Sequence, residues 1–325
     1  MEGVLRAQAL GYGAGRNAPP RPADRLREPV APASCDAAAG RPGEREPFGV
    51  PAEQEGGSFV YPFSAQEFGR VRELIYREAG IALAPGKKDM VYGRLARRVR
   101  ARQLDCFADY LALVERGDRQ ELEQFINALT TNMTSFFREP HHFGILAEHL
   151  ERQRGRSISI WSCAASSGEE PYSIAMTALE ALGSSPPVRI LATDIDTGVL
   201  AKARAGIYPL DQLQKLPPQQ LKRFFLKGEG KNAGLARIRE ELRRLVSFRR
   251  LNLLEEGWPM TGRFDFIFCR NVMIYFDKKT QHELLGRMAA RLNPGGLLFV
   301  GHSESFHSAR ELFRICGNTV YALKG

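Results

Sequence analysis

The hydrophobic positions between residues 61 and 130 recur at helical spacing. The apolar side chains from Phe68 to Ile75 fall on one helix face, and Ser64 followed by Glu67 forms the pattern of a capping box at the start of that helix. We therefore predict a small all-helical domain over 61–130. Further helices are predicted at about 88–103, 106–115, 119–129 and 141–153.

From residue 157 onwards, short apolar strands alternate with helical segments. Such alternation is typical of an α/β fold with a parallel sheet covered by helices on both faces. Two short segments near 312–316 and 319–323, joined at Gly317-Asn318, predict a final hairpin whose last strand runs antiparallel. The predicted strands are 157–162, 188–193, 264–269 and 296–301, and the predicted helices are 170–182, 197–204 and 278–291.

Two regions depart from this alternation. Between Gly206 and Arg250 the chain has a Leu/Gln-rich helix, the turn Gly228-Glu229-Gly230 and a β-like run at Leu235–Ile238, which we interpret as an insertion over about 207–248. Residues 1–57 hold eight Pro and nine Gly with almost no apolar periodicity. This composition predicts a disordered extension over 1–60.

The net charge of +9 is concentrated in two segments. Residues 87–102 contain seven basic residues and one acid, and residues 207–250 contain eleven basic residues and four acids. Such clusters suggest docking surfaces for acidic partners, although solvated helix faces have the same pattern.

Composition excludes several classes of protein. No run approaches the ~18 apolar residues that a membrane span needs, and the first residues lack a charged-then-apolar signal pattern. The five cysteines are scattered without a C-x-x-C pair, which disfavours disulfides and zinc sites. The adjacent His141 and His142 should not share a helix face as metal ligands. We expect a cytoplasmic protein without membrane insertion or a bound metal.

The junction after the first predicted strand carries the main chemical signal. Small residues from Cys163 to Gly168 form a loop, and Glu169 and Glu170 then open a helix. Such a loop lets a ligand approach the backbone, as in nucleotide-binding α/β folds, but the two acids would repel a polyphosphate. A ligand with a cationic end and ribose hydroxyls is favoured, and S-adenosylmethionine is such a ligand.

Residues at the ends of later strands complete this prediction. Asp194 should accept hydrogen bonds from ribose hydroxyls, since Asp196 is available to cap the next helix. The Asn252 amide matches an adenine edge, and Leu253 can cover the ring. Arg138 could pair with a substrate carboxylate or with the methionine carboxylate of the cofactor.

Tyr275 follows the predicted strand 264–269, in the segment Cys269–Phe276. It could face the transferred methyl group, or it could be an aromatic residue packed under the sheet edge. This segment lacks the Asn/Asp-Pro-Pro-aromatic tetrad of enzymes that methylate base nitrogens, so a nucleic-acid substrate is disfavoured. An inactive binding module and a nicotinamide dehydrogenase remain as weaker alternatives.

Six segments occur in an order that resembles one known family. TTNMTSFFRE, WSCAASSGEEPYSIA, ATDID, NLLE, FDFIFCRNVMIYFDK and GGLLFVGHSES are similar to segments of the CheR family of chemotaxis receptor glutamate methyltransferases. The resemblance covers about residues 60–325. It implies a Rossmann-like class I S-adenosylmethionine methyltransferase domain at 131–325, with an inserted antiparallel β-subdomain and a preceding helical domain. It also implies methylation of glutamate side chains on chemoreceptors to γ-methyl esters. We expect the protein to be a monomer.

The resemblance further implies roles for individual residues. Tyr275 matches a tyrosine near the methyl group. We assign catalytic roles to Tyr275 and to Arg138, which orients rather than activates. The basic second helix would contact the acidic methylation helices of receptors, and the glycine loop resembles one that binds a receptor C-terminal pentapeptide. The implied cofactor contacts are Asn132, Thr134, Arg138, Glu170, Asp194, Asn252, Leu253, Arg270 and Asn271, and the implied receptor contacts are Arg94, Arg97, Arg98, Arg102, Gly228 and Gly230.

Overall fold

A computed structural model of the protein describes residues 61–304 and 310–324. The described residues all fall within one packing unit, Gln54–Gly325. The predicted extension over 1–60 lies outside the described residues. No helix in the described ranges is both long enough and apolar enough to cross a bilayer.

Four helices form the first part of the described chain, as predicted. The capping box forms at the first of them, because the Ser64 hydroxyl accepts from the Glu67 N–H at 3.1 Å and the Glu67 carboxylate accepts from the Ser64 N–H at 2.6 Å. Buried apolar residues such as Val71, Leu95 and Phe125 form a common core between the helices. The helices are α1 (Ala65–Ala79), α2 (Lys88–Ala101), α3 (Phe107–Glu115) and α4 (Arg119–Leu129).

A seven-stranded sheet follows, with the strand order β6-β2-β1-β7-β8-β10-β9. Strands β6, β2, β1, β7 and β8 are parallel, and the chain order reverses direction between β1 and β7. Ligands of open α/β sheets bind at such a switch point, beyond the carboxyl ends of the strands. The strands are β1 (Ile158–Ser162), β2 (Val188–Asp194), β6 (Val246–Arg250), β7 (Phe264–Cys269), β8 (Leu292–Val300), β9 (Phe313–Gly317) and β10 (Val320–Leu323).

Helices cover both faces of this sheet, which confirms the predicted α/β class. Alternate strand residues point to opposite faces, so Ile160 packs into the apolar layer of α5, α6 and α7, while Trp161 packs into the layer of α10. The final hairpin is antiparallel as predicted, with β10 lying between β8 and β9. The helices are α5 (His141–Arg152), α6 (Glu169–Leu182), α7 (Thr197–Ala205) and α10 (Lys278–Ala289).

The predicted insertion forms a second, antiparallel sheet with the order β3-β5-β4. Its outer strands β3 and β4 each have one unpaired edge within the described residues. Its elements are β3 (Ile207–Pro209), α8 (Pro218–Phe224), β4 (Phe225–Lys227), β5 (Leu235–Ile238) and α9 (Glu240–Arg243).

Candidate active site

A cavity of about 340 Å³ lies beyond the carboxyl ends of β1, β2, β6 and β7. This position is the switch point of the sheet. Every residue predicted to contact the cofactor or the methyl group lines the cavity. These residues are Asn132, Thr134, Arg138, Glu170, Asp194, Asn252, Leu253, Arg270, Asn271 and Tyr275.

Asp194 lies at the end of β2 and is hydrogen-bonded to the loop after β1. Its carboxylate accepts from the backbone N–H of Ser166 at 2.8 Å and from that of Asp196 at 3.0 Å. Only 7% of Asp194 is exposed, and burial raises its pKa to about 6. Each oxygen of a carboxylate can accept a further hydrogen bond, so Asp194 can still receive ribose hydroxyls.

Asp196 caps α7, as the sequence predicts. Its Oδ1 accepts from the N–H groups of Gly198 at 2.8 Å and Val199 at 3.1 Å. The other oxygen accepts from the amide of Asn132 at 2.7 Å and the hydroxyl of Thr130 at 2.7 Å. Asn132 lines the cavity, but its side chain donates to Asp196 and so joins the segment before Arg138 to the end of β2.

Arg138 retains donors that a ligand could use. Within the described residues, its guanidinium donates to the carbonyl oxygen of Met133 at 3.0 Å. A guanidinium has five N–H donors in a planar fork, which suits a bidentate contact to a carboxylate. Thr134 lies on the same segment of the cavity wall and is half-buried.

Glu170 and Arg270 contact each other, although the sequence assigned both to the cofactor. Oε2 of Glu170 accepts from Arg270 at 3.1 Å, and Oε1 accepts from the Ser162 hydroxyl at 2.8 Å. Arg270 also donates to the carbonyl oxygen of Arg138 and lies 3.5 Å from Glu139. Burial raises the pKa of Glu170, and Arg270 opposes that rise. The pair forms a buried charge network in the cavity wall.

The side chain of Asn252 is also engaged inside the protein. Its amide nitrogen donates to the carbonyl oxygen of Glu78 at 2.7 Å, and its oxygen accepts from the N–H of Leu254 at 3.0 Å. This geometry does not support the predicted contact between the Asn252 amide and an adenine edge, because the nitrogen joins the loop after β6 to α1 and the oxygen accepts a hydrogen bond within that loop. Leu253, on the cavity wall, remains available to cover a flat ring.

Asn271 and Tyr275 lie on the loop after β7. Asn271 has a φ of +58°, and the Tyr275 carbonyl accepts from the N–H of Ala82 at 3.0 Å. Tyr275 lines the cavity, and its position near the methyl group stays a prediction. The buried Glu304 holds this loop through backbone N–H groups. Sequence reasoning assigned Glu304 no role, although it lies within the matched segment GGLLFVGHSES.

The helical part of the chain forms the opposite wall of the cavity. Ile81, Leu83, Lys87 and Met90 line it from the α1–α2 connection and the start of α2. Sequence reasoning treated these helices as a docking surface alone. Their place at the cavity results from long-range packing and has no local sequence signal.

The prediction that His141 and His142 cannot bring their rings together on one side of the helix is wrong. Their ring centroids lie 4.2 Å apart, and Glu139 brings a carboxylate oxygen into the same group of possible ligand atoms, all within 4.8 Å. Burial is the main cause that lowers the pKa of His142 to about 4, and the positive charge of Arg270 lowers this pKa as well. The ring is therefore neutral. Since Arg270 already supplies a cation 3.5 Å from Glu139, we assign this group no metal.

Three of the four arginines predicted to contact a receptor have internal partners. Arg94 donates to the carbonyl oxygens of Leu129 at 3.1 Å and Thr130 at 2.7 Å, at the end of α4. Arg98 forms a bidentate pair with the buried Glu121 at 3.0 and 2.8 Å, and Arg102 lies 3.6 Å from the same carboxylate.

Two arginines of α2 remain free for an external partner. Arg97 and Arg100 are exposed and have no ion pair within the described residues. Arg97 belongs to the predicted receptor contacts, whereas Arg100 does not. The three internally paired arginines therefore stabilise the packing of the helices, whereas Arg97 and Arg100 expose their charge to solvent.

The predicted glycine loop connects β4 to β5. A Cβ atom at Gly228 would overlap the backbone carbonyl of Asn232, so only glycine fits there. Gly230 has a φ of +55°, in the left-handed region that favours glycine. Both glycines thus determine the shape of the loop beside the edge strand β4.

The cavity suits S-adenosylmethionine in size, because its volume falls in the range of small-molecule sites. Its wall holds the carboxylate of Asp194 and the free N–H donors of Arg138. Glu170, at the start of α6, also lines the cavity but is paired with Arg270, and Glu169 is not among the residues that line it.

Comparison with known proteins identifies the family. The model for the CheR methyltransferase SAM-binding domain matches residues 132–322, and that for the CheR methyltransferase all-alpha domain matches residues 66–130. The chain is 55% identical over 269 residues to chemotaxis protein methyltransferase 2 of Pseudomonas aeruginosa, covering 82% of this chain and 96% of the relative. It is 55% identical to the chemotaxis protein methyltransferase of Salmonella typhimurium and 53% identical to that of Escherichia coli, each covering 80% of this chain and 91% of the relative. The chain therefore belongs to the CheR family of chemotaxis methyltransferases, enzymes that use S-adenosylmethionine.

Proposed function

We propose that this methyltransferase transfers the methyl group of S-adenosylmethionine to glutamate side chains on the cytoplasmic methylation helices of chemoreceptors. The product is a glutamate γ-methyl ester that serves sensory adaptation, and the by-product is S-adenosylhomocysteine. The supporting observation is the chemistry of the cavity wall. Among the described residues that line the cavity there is no histidine, and its carboxylates at Asp194 and Glu170 are engaged by hydrogen bonds.

A carboxylate acceptor accounts for a site without an evident general base. A glutamate with an ordinary pKa near ~4.3 is already ionised at neutral pH, so its oxygen can attack without losing a proton first. When bound, the sulfonium cofactor supplies the electrophilic methyl carbon. The residues of this chain then need to align the acceptor oxygen with that carbon, and such alignment can contribute roughly 7–11 kcal/mol.

Individual residues divide this work. Arg138 orients the methionine carboxylate of the cofactor with its free N–H donors, and Asp194 binds the ribose hydroxyls. Tyr275 lies beside the reacting methyl group. Leu253 and Phe276 keep water from the cavity, since both are apolar parts of its wall.

The basic surface of α2 supports receptor docking. Arg97 and Arg100 are exposed, and Lys87 carries a positive charge at the cavity wall. We propose that these cations guide an acidic receptor helix so that its glutamate enters the cavity. The enzyme would act as a monomer on the cytoplasmic side of the receptor.

The β3-β5-β4 sheet supports a second, tethering contact. A receptor C-terminal pentapeptide could add as a strand to an edge of this sheet, next to the loop of Gly228 and Gly230. Calorimetric titration with peptides copied from receptor C-termini tests this proposal. Gly228→Ala should lose the binding, whereas Gly262→Ala, where a Cβ meets nothing within 4 Å, should retain it. Equal affinity of both variants would contradict the proposed contact.

The reaction itself is tested with receptor-rich membranes and cofactor carrying a tritiated methyl group. We expect label on the receptor band and release of labelled methanol in mild base, because an ester hydrolyses and an N-methyl group does not. Membranes without receptors are the control. Alkali-stable label, or label on nucleic acid, would contradict the proposed function.

A further inference from the structure

The loop that carries Asn271 and Tyr275 is held by one buried acid. Oε2 of Glu304 accepts from the N–H of Asn271 at 2.9 Å and from the N–H of Gly301 at 2.6 Å. Oε1 accepts from the N–H of Met273 at 2.8 Å. A single carboxylate thus satisfies three backbone donors on two segments, and only 4% of Glu304 is exposed.

The backbone around this carboxylate is tightly constrained. Asn271 has a φ of +58°, in the left-handed region that Asn enters more readily than most residues with a side chain. A Cβ atom at Gly301 would overlap the side-chain amide of Asn271, so the end of β8 passes close to the loop. Gln281 also contacts the loop, donating to the carbonyl oxygens of Met273 at 2.9 Å and Phe276 at 3.0 Å.

Burying a carboxylate is costly unless its oxygens accept good hydrogen bonds. Burial raises the pKa of Glu304, and the N–H groups of Asn271, Gly301 and Met273 oppose that rise. Two of these bonds, from Asn271 and Met273, come from the loop that brings Asn271 and Tyr275 to the cavity, and the third comes from the end of β8. The arrangement therefore fixes geometry at the site where methyl transfer needs it.

We propose that Glu304 is a positioning residue for methyl transfer, whose carboxylate fixes the backbone of Asn271–Tyr275 so that Tyr275 meets the reacting methyl group. Glu304 itself does not line the cavity. The inference rests on the methyltransferase activity, and only the turnover arm of its test depends on the proposed receptor substrate.

The main variant is Glu304→Gln, which keeps the size of the side chain. An amide has one acceptor oxygen, so at least one of the three N–H groups would face an NH₂ donor instead. Because small displacements of a catalytic group are costly, we expect kcat to fall about 10- to 100-fold. The KM for S-adenosylmethionine should change less than kcat does, since Arg138 and Asp194 are unaltered and Asn271 is the implied cofactor contact that Glu304 holds.

Asp265→Asn is the matched control. Asp265 is also a buried carboxylate, accepting from the N–H of Ser159 at 2.9 Å and the amide of Asn293 at 2.9 Å, but it lies at the amino-terminal end of β7, opposite the cavity. This control should lower Tm without changing kcat. Loss of kcat in both variants, or in neither, would overturn the positioning role.

Amide hydrogen exchange tests the same claim without an acceptor or a variant. In the wild-type protein the amides of Asn271 and Met273 should be protected like those of a central strand, although they lie in a loop. In Glu304→Gln, exchange should rise in peptides covering 270–276 and stay unchanged in those covering α6. Rapid exchange of these amides in the wild-type protein would overturn the proposal even if the variant fails to fold. If wild-type enzyme leaves receptors unmethylated, the receptor substrate is refuted, while the exchange result still decides the role of Glu304.

Discussion

Arg270 donates a hydrogen bond of 3.1 Å to Glu170, and both side chains lie in the wall of the cavity at the β1–β7 switch point. Arg270 also donates to the carbonyl oxygen of Arg138, so one guanidinium connects the start of α6 to the segment that carries Arg138. These contacts make Arg270 part of the framework that positions Arg138. Arg270 and Arg138 should therefore respond differently to mutation.

Arg270→Ala should destabilise the fold. The change leaves the carboxylates of Glu170 and Glu139 without their buried cation, a loss that costs about 3–5 kcal/mol of unfolding free energy in comparable cases. Urea unfolding followed by circular dichroism measures the effect. Arg152→Ala, which removes an exposed pair with Glu148, is the control and should cost at most about 0.5 kcal/mol. Equal stability of the two variants would contradict the structural role of Arg270.

Arg138→Ala should leave the unfolding free energy almost unchanged and weaken binding of S-adenosylhomocysteine. The lost charge-assisted hydrogen bond to the ligand carboxylate corresponds to roughly 10- to 100-fold in affinity. Isothermal titration calorimetry measures this change. The affinity of Arg138→Lys should lie between that of Arg138→Ala and that of the wild type. Wild-type affinity in Arg138→Ala would refute a cofactor contact.

Binding of S-adenosylhomocysteine should weaken below pH 6. Burial raises the pKa of Asp194 to about 6, and only the ionised carboxylate accepts both ribose hydroxyls without donating. Affinity should therefore approach a tenfold loss for each pH unit below this value. Calorimetry between pH 5 and pH 8 tests the dependence. Asp194→Asn should bind weakly with a flatter profile, and a flat wild-type profile would contradict the assignment.

The same shift has the opposite sign for the stability of the ligand-free protein. Because the folded-state pKa of Asp194 lies above its ordinary value of 3.8, the folded state holds the proton more tightly. The stabilisation from this group is therefore complete below about pH 3.8 and is lost as the pH rises through about 6. Cofactor binding thus favours the ionised form of Asp194, whereas the stability of the ligand-free protein favours its protonated form.

The arginines of α2 should separate into two classes. Arg97→Glu with Arg100→Glu should slow receptor methylation, with Tm and S-adenosylhomocysteine affinity unchanged, because both side chains are exposed. Arg98→Ala should lower stability by about 3 kcal/mol, because it leaves Glu121 buried without its main cation. Methylation rates and thermal unfolding of the same preparations distinguish the classes. A Tm loss in the double variant, or none in Arg98→Ala, would contradict this division.

Local sequence patterns predicted most helices and strands, and they predicted that residues at the strand ends lie together at one edge of the sheet. Strand ends place Asp194, Asn252 and Asn271 at one sheet edge because parallel strands present their carboxyl ends together. The cap at Asp196 is equally local, since the side chain bonds N–H groups two and three residues ahead.

Side-chain partners distant in sequence were not predictable in this way. Arg270 and Glu170 are 100 residues apart, and the contact from Asn252 to Glu78 spans 174 residues. A motif indicates that such residues lie near a cavity, but only tertiary packing decides whether they contact a ligand or each other. The internal pairing of Arg98 follows from the same cause, since a basic helix face has one appearance in sequence whether its charges are free or engaged.

A crystal structure of the protein with S-adenosylhomocysteine tests the central claim most directly. We predict the ligand in the cavity at the β1–β7 switch point, with its ribose on Asp194, its carboxylate on Arg138 and its sulfur facing Tyr275. Saturated crystals in which this cavity stays vacant, or in which the ribose contacts neither oxygen of Asp194, would contradict the account.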